Sequence, residues 1–471
     1  MFRILLFIVI LNLSFLISAQ TEEKVTLSLE ECIELALKNN LDLKSSDLNA
    51  KTSTVIFEQT RANLLPSLNA NYNLGITNGR SIDPYSNDYI DQKLTFSNAG
   101  LNLDVVVFNG FKLLNSIRRD RLNMQAAEME INEAKQTLIL NVTLAYLQIL
   151  NNEDLVELAQ LRLETTYKQV NRLQTLNDEG EGSPADFTDI KGQNANDKSS
   201  LIDAKNALNA LIFSLSQLLN VDYDIKPQEI KNIQDFEKYN LTADNIFEDA
   251  LNFLPTFKAK ELRVEAAKKD VNVSRSLYSP EISLFGQLNT NYSSAARLYA
   301  AAGSQQAESG GFIIIDGEQI PVLVEETQFS GSKINYNDQF NNNLNSVVGV
   351  SLNLPIFNGF LAKNTVALQK IKLEESEVDF ENTKSQLKQS IKQAYSDMTA
   401  AYQKISVIQD QVNQFQESFR INEIRFNNGV SNIVAYIISK NNLDNAQISL
   451  ANAKYEYLLR VKILEYYRGN I

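Results

Sequence analysis

The sequence predicts a mainly α-helical protein with a membrane β-barrel portion, organised as two copies of one unit. Three observations predict this class. Two proline-free stretches, residues 111–177 and 360–427, are rich in Leu, Ala, Gln, Glu and Lys, which favour helix. Four short segments alternate polar and apolar residues, which is the period of a β-strand. The order of these segments occurs twice along the chain.

The first residues, 1–20, have the layout of a secretory signal peptide. One cation, Arg3, precedes a mostly apolar run over residues 4–17, and the small residues Ser18 and Ala19 follow. This run is shorter than the roughly 20 residues that a membrane-spanning helix needs. We therefore expect export and cleavage, and a membrane anchor is the alternative.

Composition argues against an enzyme. The chain contains no histidine, so the commonest general base and the commonest zinc ligand are absent. Carboxylate or Ser-Lys chemistry is the remaining alternative, but no phosphate-binding loop or other catalytic signature supports it, and no catalytic residue, cofactor or metal site is expected. The formal net charge of -13 disfavours nucleic acid as a partner. The single cysteine, Cys32, implies neither a disulfide nor a lipid anchor.

The chain is a tandem duplication with one insertion. Residues 27–37 overlay residues 241–251 at an offset of 214, and the Phe-Asn-Gly-Phe motif at 108–111 overlays 357–360 at an offset of 249. The two offsets place a 35-residue insertion in the second copy. The expected organisation is a first repeat over 21–220, an inter-repeat equatorial segment over 221–240 and a second repeat over 241–471.

Each copy is expected to hold a long antiparallel coiled-coil hairpin. At 1.5 Å per residue, each proline-free stretch makes a helix of roughly 100 Å, longer than a compact domain can bury. Along these stretches, apolar residues recur at alternating steps of three and four, which is the spacing of a coiled coil. The core of an ordinary helical bundle is the alternative interpretation. The stripes are Val156, Ala159, Leu163, Thr166 and Val170, their counterparts Ile405, Ile408, Val412, Phe415 and Phe419, and in a return segment Leu201, Ala204, Leu208, Leu211 and Leu215.

The alternating segments lie at 67–75, 100–108, 282–289 and 348–356. Each has one apolar face and one face of mostly small polar residues, the pattern of a strand between lipid and a water-filled lumen. A half-buried soluble sheet is the alternative. Four strands cannot close a barrel, and an open strand edge is not tolerated in lipid, so several copies must share one barrel.

This layout resembles the TolC-type family of outer-membrane efflux and secretion channels across essentially the whole mature chain. The resemblance is carried by the opening segment at 27–40, the Leu-Pro-Ser-Leu junction at 65–68, both Phe-Asn-Gly turns and the closing segment at 449–458. It implies a homotrimer in which four β-strands per protomer complete a 12-stranded β-barrel in outer-membrane lipid. Long antiparallel coiled-coil hairpins would continue the barrel as an α-barrel in the periplasm.

The resemblance also implies a function. The protein would be the passive exit channel of a tripartite efflux or type I secretion system, served by a periplasmic adaptor (membrane fusion) protein and an inner-membrane pump of the RND or ABC type. A periplasmic coiled-coil scaffold or adaptor without channel activity is one alternative. An autonomous porin is another, although it would need many more strands per chain.

Two groups of residues have expected mechanical roles. Prolines before strands stop a helix, and glycines after strands let the chain turn back into a helix. These barrel-helix junctions are Pro66, Pro280, Gly110 and Gly359. Turns between the paired helices are the expected docking points of the adaptor, and they comprise Gly180, Gly182, Ser183, Gly429, Val430 and Ser431.

The periplasmic aperture is where the sequence departs from the family pattern. Family members often carry acidic residues six and nine positions past the second-copy tip glycine, where this chain has Ala435 and Ile438. The first copy has Asp186 and Asp189 at the matching positions. With the second-copy hairpin innermost, the narrowest ring is apolar and gates by constriction and dewetting. Asp186 and Asp189 are then carboxylates at a helix start, unless the first-copy hairpin forms the aperture.

A long external loop is expected over residues 292–346, where the insertion lies. Apolar segments flank Asp316 and Gly317, a dipeptide typical of β-hairpin turns. We expect this hairpin to stand at the mouth of the barrel and to narrow it. The alternative is an exposed ornament without effect on the channel.

Overall fold

The computed structural model describes residues 25–82, 87–91, 93–222, 225–228 and 238–470. The expected signal peptide and most of the expected equatorial segment lie outside these residues. The chain divides into two compact units. We call Met1–Val55, Arg121–Ala266 and Leu373–Ile471 the helical unit, and Ile56–Asp120 and Ala267–Lys372 the sheet unit.

Nine α-helices lie within the described ranges. The two longest, α3 and α8, have 67 residues each and span about 100 Å, as predicted. The helices are α1 Leu29–Asn39, α2 Leu41–Ala62, α3 Lys112–Asp178, α4 Pro184–Leu219, α5 Ala243–Phe253, α6 Pro255–Arg275, α7 Tyr336–Asn342, α8 Leu361–Asn427 and α9 Ile433–Tyr467.

The duplication is confirmed by the helix bounds. Helices α1 and α5 begin and end at residues that differ by the offset of 214, and α3 and α8 at residues that differ by 249. Both α1 and α5 begin with a hydroxyl cap: Ser28 accepts a hydrogen bond from the Glu31 amide, and Thr242 from the Asn245 amide. The same type of N-terminal cap therefore begins the corresponding helix in both copies.

In the helical unit, the predicted apolar stripes form the core. In the first hairpin, Leu201 and Leu215 of α4 are buried. In the second hairpin, Ile408 and Val412 of α8 form one buried cluster with Leu443 of α9. Full burial of one such side chain stabilises the fold by about 1.5–3 kcal/mol. Repetition along two hairpins makes apolar pairing the main source of helix stability.

A short parallel ladder joins β1 Val25–Leu27 to β6 Ile225–Pro227 beside α3. The Tyr146 hydroxyl of α3 donates to the Gln228 carbonyl at 2.7 Å and reaches the Leu27 carbonyl at 3.2 Å. Burial raises the pKa of Tyr146 to about 12, so the hydroxyl stays a donor at physiological pH.

Replacing Tyr146 with phenylalanine should lower the free energy of unfolding by about 1–3 kcal/mol, because the Gln228 carbonyl and the buried Leu27 carbonyl lose the hydroxyl donor that they share. Urea denaturation followed by circular dichroism measures the change. Tyr167→Phe is the matched control, because Tyr167 lies on the same helix and is 58% exposed. Equal stability of Tyr146→Phe and the native protein would contradict a structural role for this hydroxyl.

The sheet unit contains four antiparallel strands, which confirms the four predicted strands. Their order across the sheet is β10 (Asn345–Asn353), β7 (Glu281–Ser293), β5 (Leu94–Phe108) and β2 (Ser67–Thr77). Strand β5 begins at Leu94, earlier than the predicted start at residue 100. The prediction began too late because Ser97 interrupts the alternation of apolar residues. Strand β10 ends at Asn353, before the predicted end at 356, and Pro355 offers no N–H to extend it. Two further short strands, β3 Arg80–Ile82 and β4 Tyr89–Asp91, pair with each other.

A long hairpin occupies the inserted segment. Strands β8 Arg297–Ile315 and β9 Glu318–Lys333 pair antiparallel, with the turn at Asp316 and Gly317, both at positive φ. The apolar hairpin that the sequence predicted around Asp316 and Gly317 is only the end of this longer hairpin. Sequence analysis missed the stem, because Ala, Gly, Ser and Gln have weak strand preference.

Candidate functional site

The four-stranded sheet has one apolar face. Cross-strand pairs such as Leu68 with Leu103 and Val350 with Leu284 hold the apolar residues of neighbouring strands together. These side chains are exposed: Leu68 is 62% and Val350 is 66% accessible. An exposed apolar sheet face of this extent is the surface that a barrel presents to lipid.

The opposite face is lined by amides. Asn71, Gly100 and Asn289 lie side by side across three strands, and the Asn102 side-chain amide donates to the Asn71 side-chain carbonyl at 3.2 Å. Other members of this face are Asn69, Asn73, Asn98, Gln287, Asn291, Asn345, Ser351 and Asn353. This face suits a water-filled lumen.

On the amide-lined face, each copy has an aromatic ring over a glycine of the paired strand, with the ring on the second strand in the first copy and on the first strand in the second copy. The Phe96 ring lies over Gly75, where an added Cβ would be 2.6 Å from the ring. In the second copy, the Phe285 ring lies over Gly349 at a corresponding 2.5 Å. Each glycine therefore makes room for a cross-strand ring, a device that pins strand register.

The sheet has two open edges. Within the described ranges, β2 pairs only with β5, and β10 pairs only with β7. The outward N–H and C=O groups of both edge strands can therefore accept a further strand. A sheet with an apolar face cannot stand in lipid with these edges open.

The junction residues mark where strand and helix meet. Pro66 precedes β2 and Pro280 precedes β7, as their missing N–H groups suggested. Gly110 and Gly359 have φ of 64° and 61°, and the next residues, Phe111 and Phe360, also have positive φ. Sequence analysis missed this phenylalanine conformation, because bulky residues rarely adopt it.

The two junction glycines are not equivalent, and this yields a prediction. A Cβ at Gly110 would lie 2.2 Å from the Ser279 Cβ, whereas nothing lies within 4 Å at Gly359. Gly359→Ala should cost only the left-handed strain of about 1–2 kcal/mol. Gly110→Ala should cost a further 1–3 kcal/mol or so from overpacking. Thermal unfolding of the detergent-extracted protein compares the two, and equal midpoints would contradict the close approach.

Both long helices end in the same hairpin-tip geometry. The Gly180 amide donates to Asn177 O and the Glu181 amide to Leu176 O, which is a Schellman motif with Gly180 at positive φ. Gly429 and Val430 repeat both bonds at the end of α8. A Cβ at Gly182 would lie 2.6 Å from the Asn177 backbone nitrogen, so Gly182 has no room for a side chain.

The return helices begin with polar caps. Ser183 accepts a hydrogen bond from the Asp186 amide, and Asn432 accepts one from the Ala435 amide. Asp186 lies half-buried in the first turn of α4, and Asp189 is exposed one turn later. In α9, Ala435 is half-buried and Ile438 is 55% exposed. Ser431 donates its amide to the Arg425 carbonyl at the end of α8.

An apolar cluster joins the two hairpins near the tips, where Leu173 of α3 and Ile190 of α4 belong to the same buried cluster as Tyr436 of α9. The buried Tyr436 ring lies 5.2 Å from the Phe426 ring and 5.5 Å from the Phe419 ring. Arg172 of α3 donates to the side chain and the backbone carbonyl of Asn427 at the end of α8. Burial raises the pKa of Tyr436, which keeps its hydroxyl neutral. The hairpins are thus held together at their ends.

A buried cluster of four charges joins the hairpins further from the tips, and sequence analysis missed it. Lys440 Nζ lies 3.0 Å from Asp197 and 2.7 Å from Asp444, and Arg162 Nε lies 2.8 Å and 3.1 Å from the same carboxylates. Lys440 and Asp197 are almost completely buried. Burial raises the pKa of Asp444, against the opposing effect of Lys440. The cluster is neutral overall and bridges α3, α4 and α9.

In the part of the chain that the structure describes, no helix is both long and apolar enough to cross a membrane.

Comparison with known proteins identifies the family. The sequence profile described as outer membrane efflux protein matches residues 32–221 and 246–470, one match in each repeat. The Outer membrane protein TolC of Escherichia coli (strain K12) is 24% identical over 446 residues, covering 92% of this chain and 80% of that protein. The Outer membrane efflux protein BepC of Brucella suis is 19% identical over 426 residues, covering 90% and 81%.

The fold agrees with solved channels. The Campylobacter jejuni CmeC outer membrane channel superposes with a TM-score of 0.76 at 17% identity, covering 94% of this chain and 85% of that one. The Vibrio cholerae outer membrane protein VceC gives a TM-score of 0.73 at 15% identity, covering 94% and 96%. Since a family profile matches most of the chain, the protein is an outer-membrane exit channel for efflux and belongs to the outer membrane efflux protein family.

Proposed function

We propose that three copies of this chain close one 12-stranded barrel and that their coiled-coil hairpins form a periplasmic α-barrel around the same path. The observation that carries this proposal is the four-stranded sheet with an apolar face, an amide-lined face and two open edges. Joining β2 of one copy to β10 of the next satisfies every edge group, each of which would otherwise cost several kcal/mol in lipid. Channels of this family are homotrimeric, and this supports three copies of this chain.

The assembled protein is a passive conduit. Its amide-lined face offers hydrogen bonds along most of its length and has carboxylates at Asp104 of β5 and Glu281 of β7, so uncharged solutes pass along it without tight binding. The energy for export comes from partners, a periplasmic adaptor and an inner-membrane pump of the RND or ABC type. Exposed Val430 and Val434 at the second-copy tip provide an apolar surface for adaptor helices.

Fractionation and sizing test the assembly. We expect the protein in the outer-membrane fraction and, after detergent extraction, a protein mass of three chains by light scattering. A soluble periplasmic protein would support a coiled-coil scaffold instead. A single chain per particle would support an autonomous porin, and either result would overturn the proposal.

We further propose that the narrowest ring of the periplasmic aperture is apolar and includes Ala435 and Ile438. A multivalent cation added on the periplasmic side of a planar bilayer should block the native channel weakly. Ala435→Asp should lower the blocking concentration by about tenfold or more, equivalent to about 1.4 kcal/mol, because three copies place three carboxylates in one ring. Ala435→Asn is the uncharged control of the same size.

The same cation-block measurement on an Asp186 variant tests the opposing hypothesis, in which the first-copy hairpin forms the aperture. Its place in the first turn of α4 suits a carboxylate that interacts with the helix N-terminus. Tight block of the native channel that disappears in Asp186→Asn would place the first-copy hairpin at the aperture. It would contradict the apolar gate.

A further inference from the structure

The end of the β8–β9 hairpin has an apolar surface that nothing within the described ranges covers. We call residues 312–315 and 320–324 the apolar tip. Both faces of the ribbon are apolar there: Ile313 pairs with Ile320 on one face, and Phe312 pairs with Pro321 on the other. Ile314 is 66% exposed. A two-stranded ribbon is marginally stable alone, so such a surface indicates a binding partner.

The charges around the apolar tip restrict what that partner is. Between residues 298 and 332 the hairpin has five carboxylates and no lysine or arginine. Asp316 and Glu318 lie in the turn beyond the apolar tip, and Glu308 and Glu325 lie in the stem before it. Insertion into lipid would carry the turn carboxylates and unpaired strand edges into hydrocarbon, which is costly. Lipid is therefore disfavoured.

Contact through added strands is also disfavoured. Pro321 lies within β9 and has no N–H to offer a further strand. The apolar tip is better suited to packing through its side-chain faces. Packing side by side leaves the turn and stem carboxylates in water, where their repulsion is screened.

The position of the hairpin in the chain indicates that its partner is the same hairpin of the neighbouring copies. Strand β8 begins four residues after β7 ends, so three copies in one barrel would carry three hairpins on the same rim. A 19-residue strand is about 60 Å long at 3.3 Å per residue. Twelve strands about 4.8 Å apart enclose a barrel only some 20 Å across. The hairpins are therefore long enough to reach one another above the pore.

We propose that the apolar tips of the three copies pack against one another at the mouth of the barrel. This inference rests on the proposed trimer. The occupant of each apolar tip is the same segment of the neighbouring copies, and the packed tips narrow the external mouth.

Cysteine cross-linking tests this contact in the full-length protein in intact cells. Cys32 is fully buried and burial raises its pKa to about 11, so it does not react under mild oxidation. Ile314→Cys places a thiol in the apolar tip, and Gln306→Cys places one in the exposed stem as the matched control. We expect disulfide-linked dimers for Ile314→Cys and only traces for Gln306→Cys.

Sizing of the same variants separates this inference from the proposed trimer. Particles of three chains without an Ile314→Cys cross-link would overturn tip packing and leave the trimer standing. Equal cross-linking at both positions would also overturn it, because random collision would explain both. If the Ile314→Cys thiol were shielded from a water-soluble maleimide but not cross-linked, another molecule would be the occupant. Particles of any other chain number would overturn the trimer itself.

Discussion

Lys440→Met is expected to lower the free energy of unfolding of the helical unit by about 3–5 kcal/mol, because it leaves two buried carboxylates, Asp197 and Asp444, to share Arg162 as their one remaining cation. Lys440 is 1% exposed and contacts both Asp197 and Asp444. Methionine fills a similar volume, so the loss reports charge more than packing. Urea denaturation followed by the helical circular dichroism signal measures it.

The pH dependence identifies the cause. Burial raises the pKa of Asp444, and removal of the ammonium raises it further. A carboxyl whose folded-state pKa is raised favours the folded state below its unfolded pKa of about 3.9 and loses that contribution as pH rises through the folded value. The deficit of Lys440→Met should therefore shrink as pH falls from 7 toward 4.

The control is Lys168→Met, which removes an exposed cation paired with Glu164 on the surface of α3. No measurable change is expected, since exposed pairs contribute little. A native-like stability of Lys440→Met at pH 7 would show that the buried cluster does not hold the hairpins together.

Gly429→Trp is expected to abolish export while the trimer still assembles. Gly429 has φ of 71°, and nothing lies within 4 Å of an added Cβ, so the indole points away from the protein's own core. It would stand where, in the proposed function, an adaptor helix approaches the tip. Accumulation of an efflux substrate in cells measures export, and sizing measures assembly.

Gly429→Ala separates bulk from backbone strain. Both variants have the left-handed strain of about 1–2 kcal/mol, but only tryptophan adds bulk at the tip. Alanine should retain export. Equal loss in both variants would assign the effect to the turn, and loss of the trimer would show a purely structural role for Gly429.

The helices and strands could be predicted from the sequence because their signals are local. Helix α3 ends at Asp178, two residues before Gly180, and the predicted stretch of 111–177 was correct to within one residue at each end. The alternation of polar and apolar residues predicted correctly which residues of β2 and β10 share the apolar face, because successive side chains of a strand point to opposite faces. The Phe96 ring over Gly75 was not predicted, because it depends on register between strands.

The buried charge cluster could not be predicted from spacing alone. Asp197 and Lys440 occupy positions of the apolar stripes, four residues before Leu201 and three before Leu443. A lone charge at such a position is a signal that a partner is needed. Its partner lies more than 200 residues away in sequence, on the other repeat, and only the folded hairpins bring the two together.

Electron cryo-microscopy of the protein, extracted from the outer membrane into lipid nanodiscs, tests the central claim most directly. The account predicts three copies around one axis, with β2 of each copy hydrogen-bonded to β10 of the next and a continuous lumen lined by the asparagine-rich face. A barrel closed within one chain, a different number of copies, or a sheet whose apolar face packs on protein instead of lipid would contradict it.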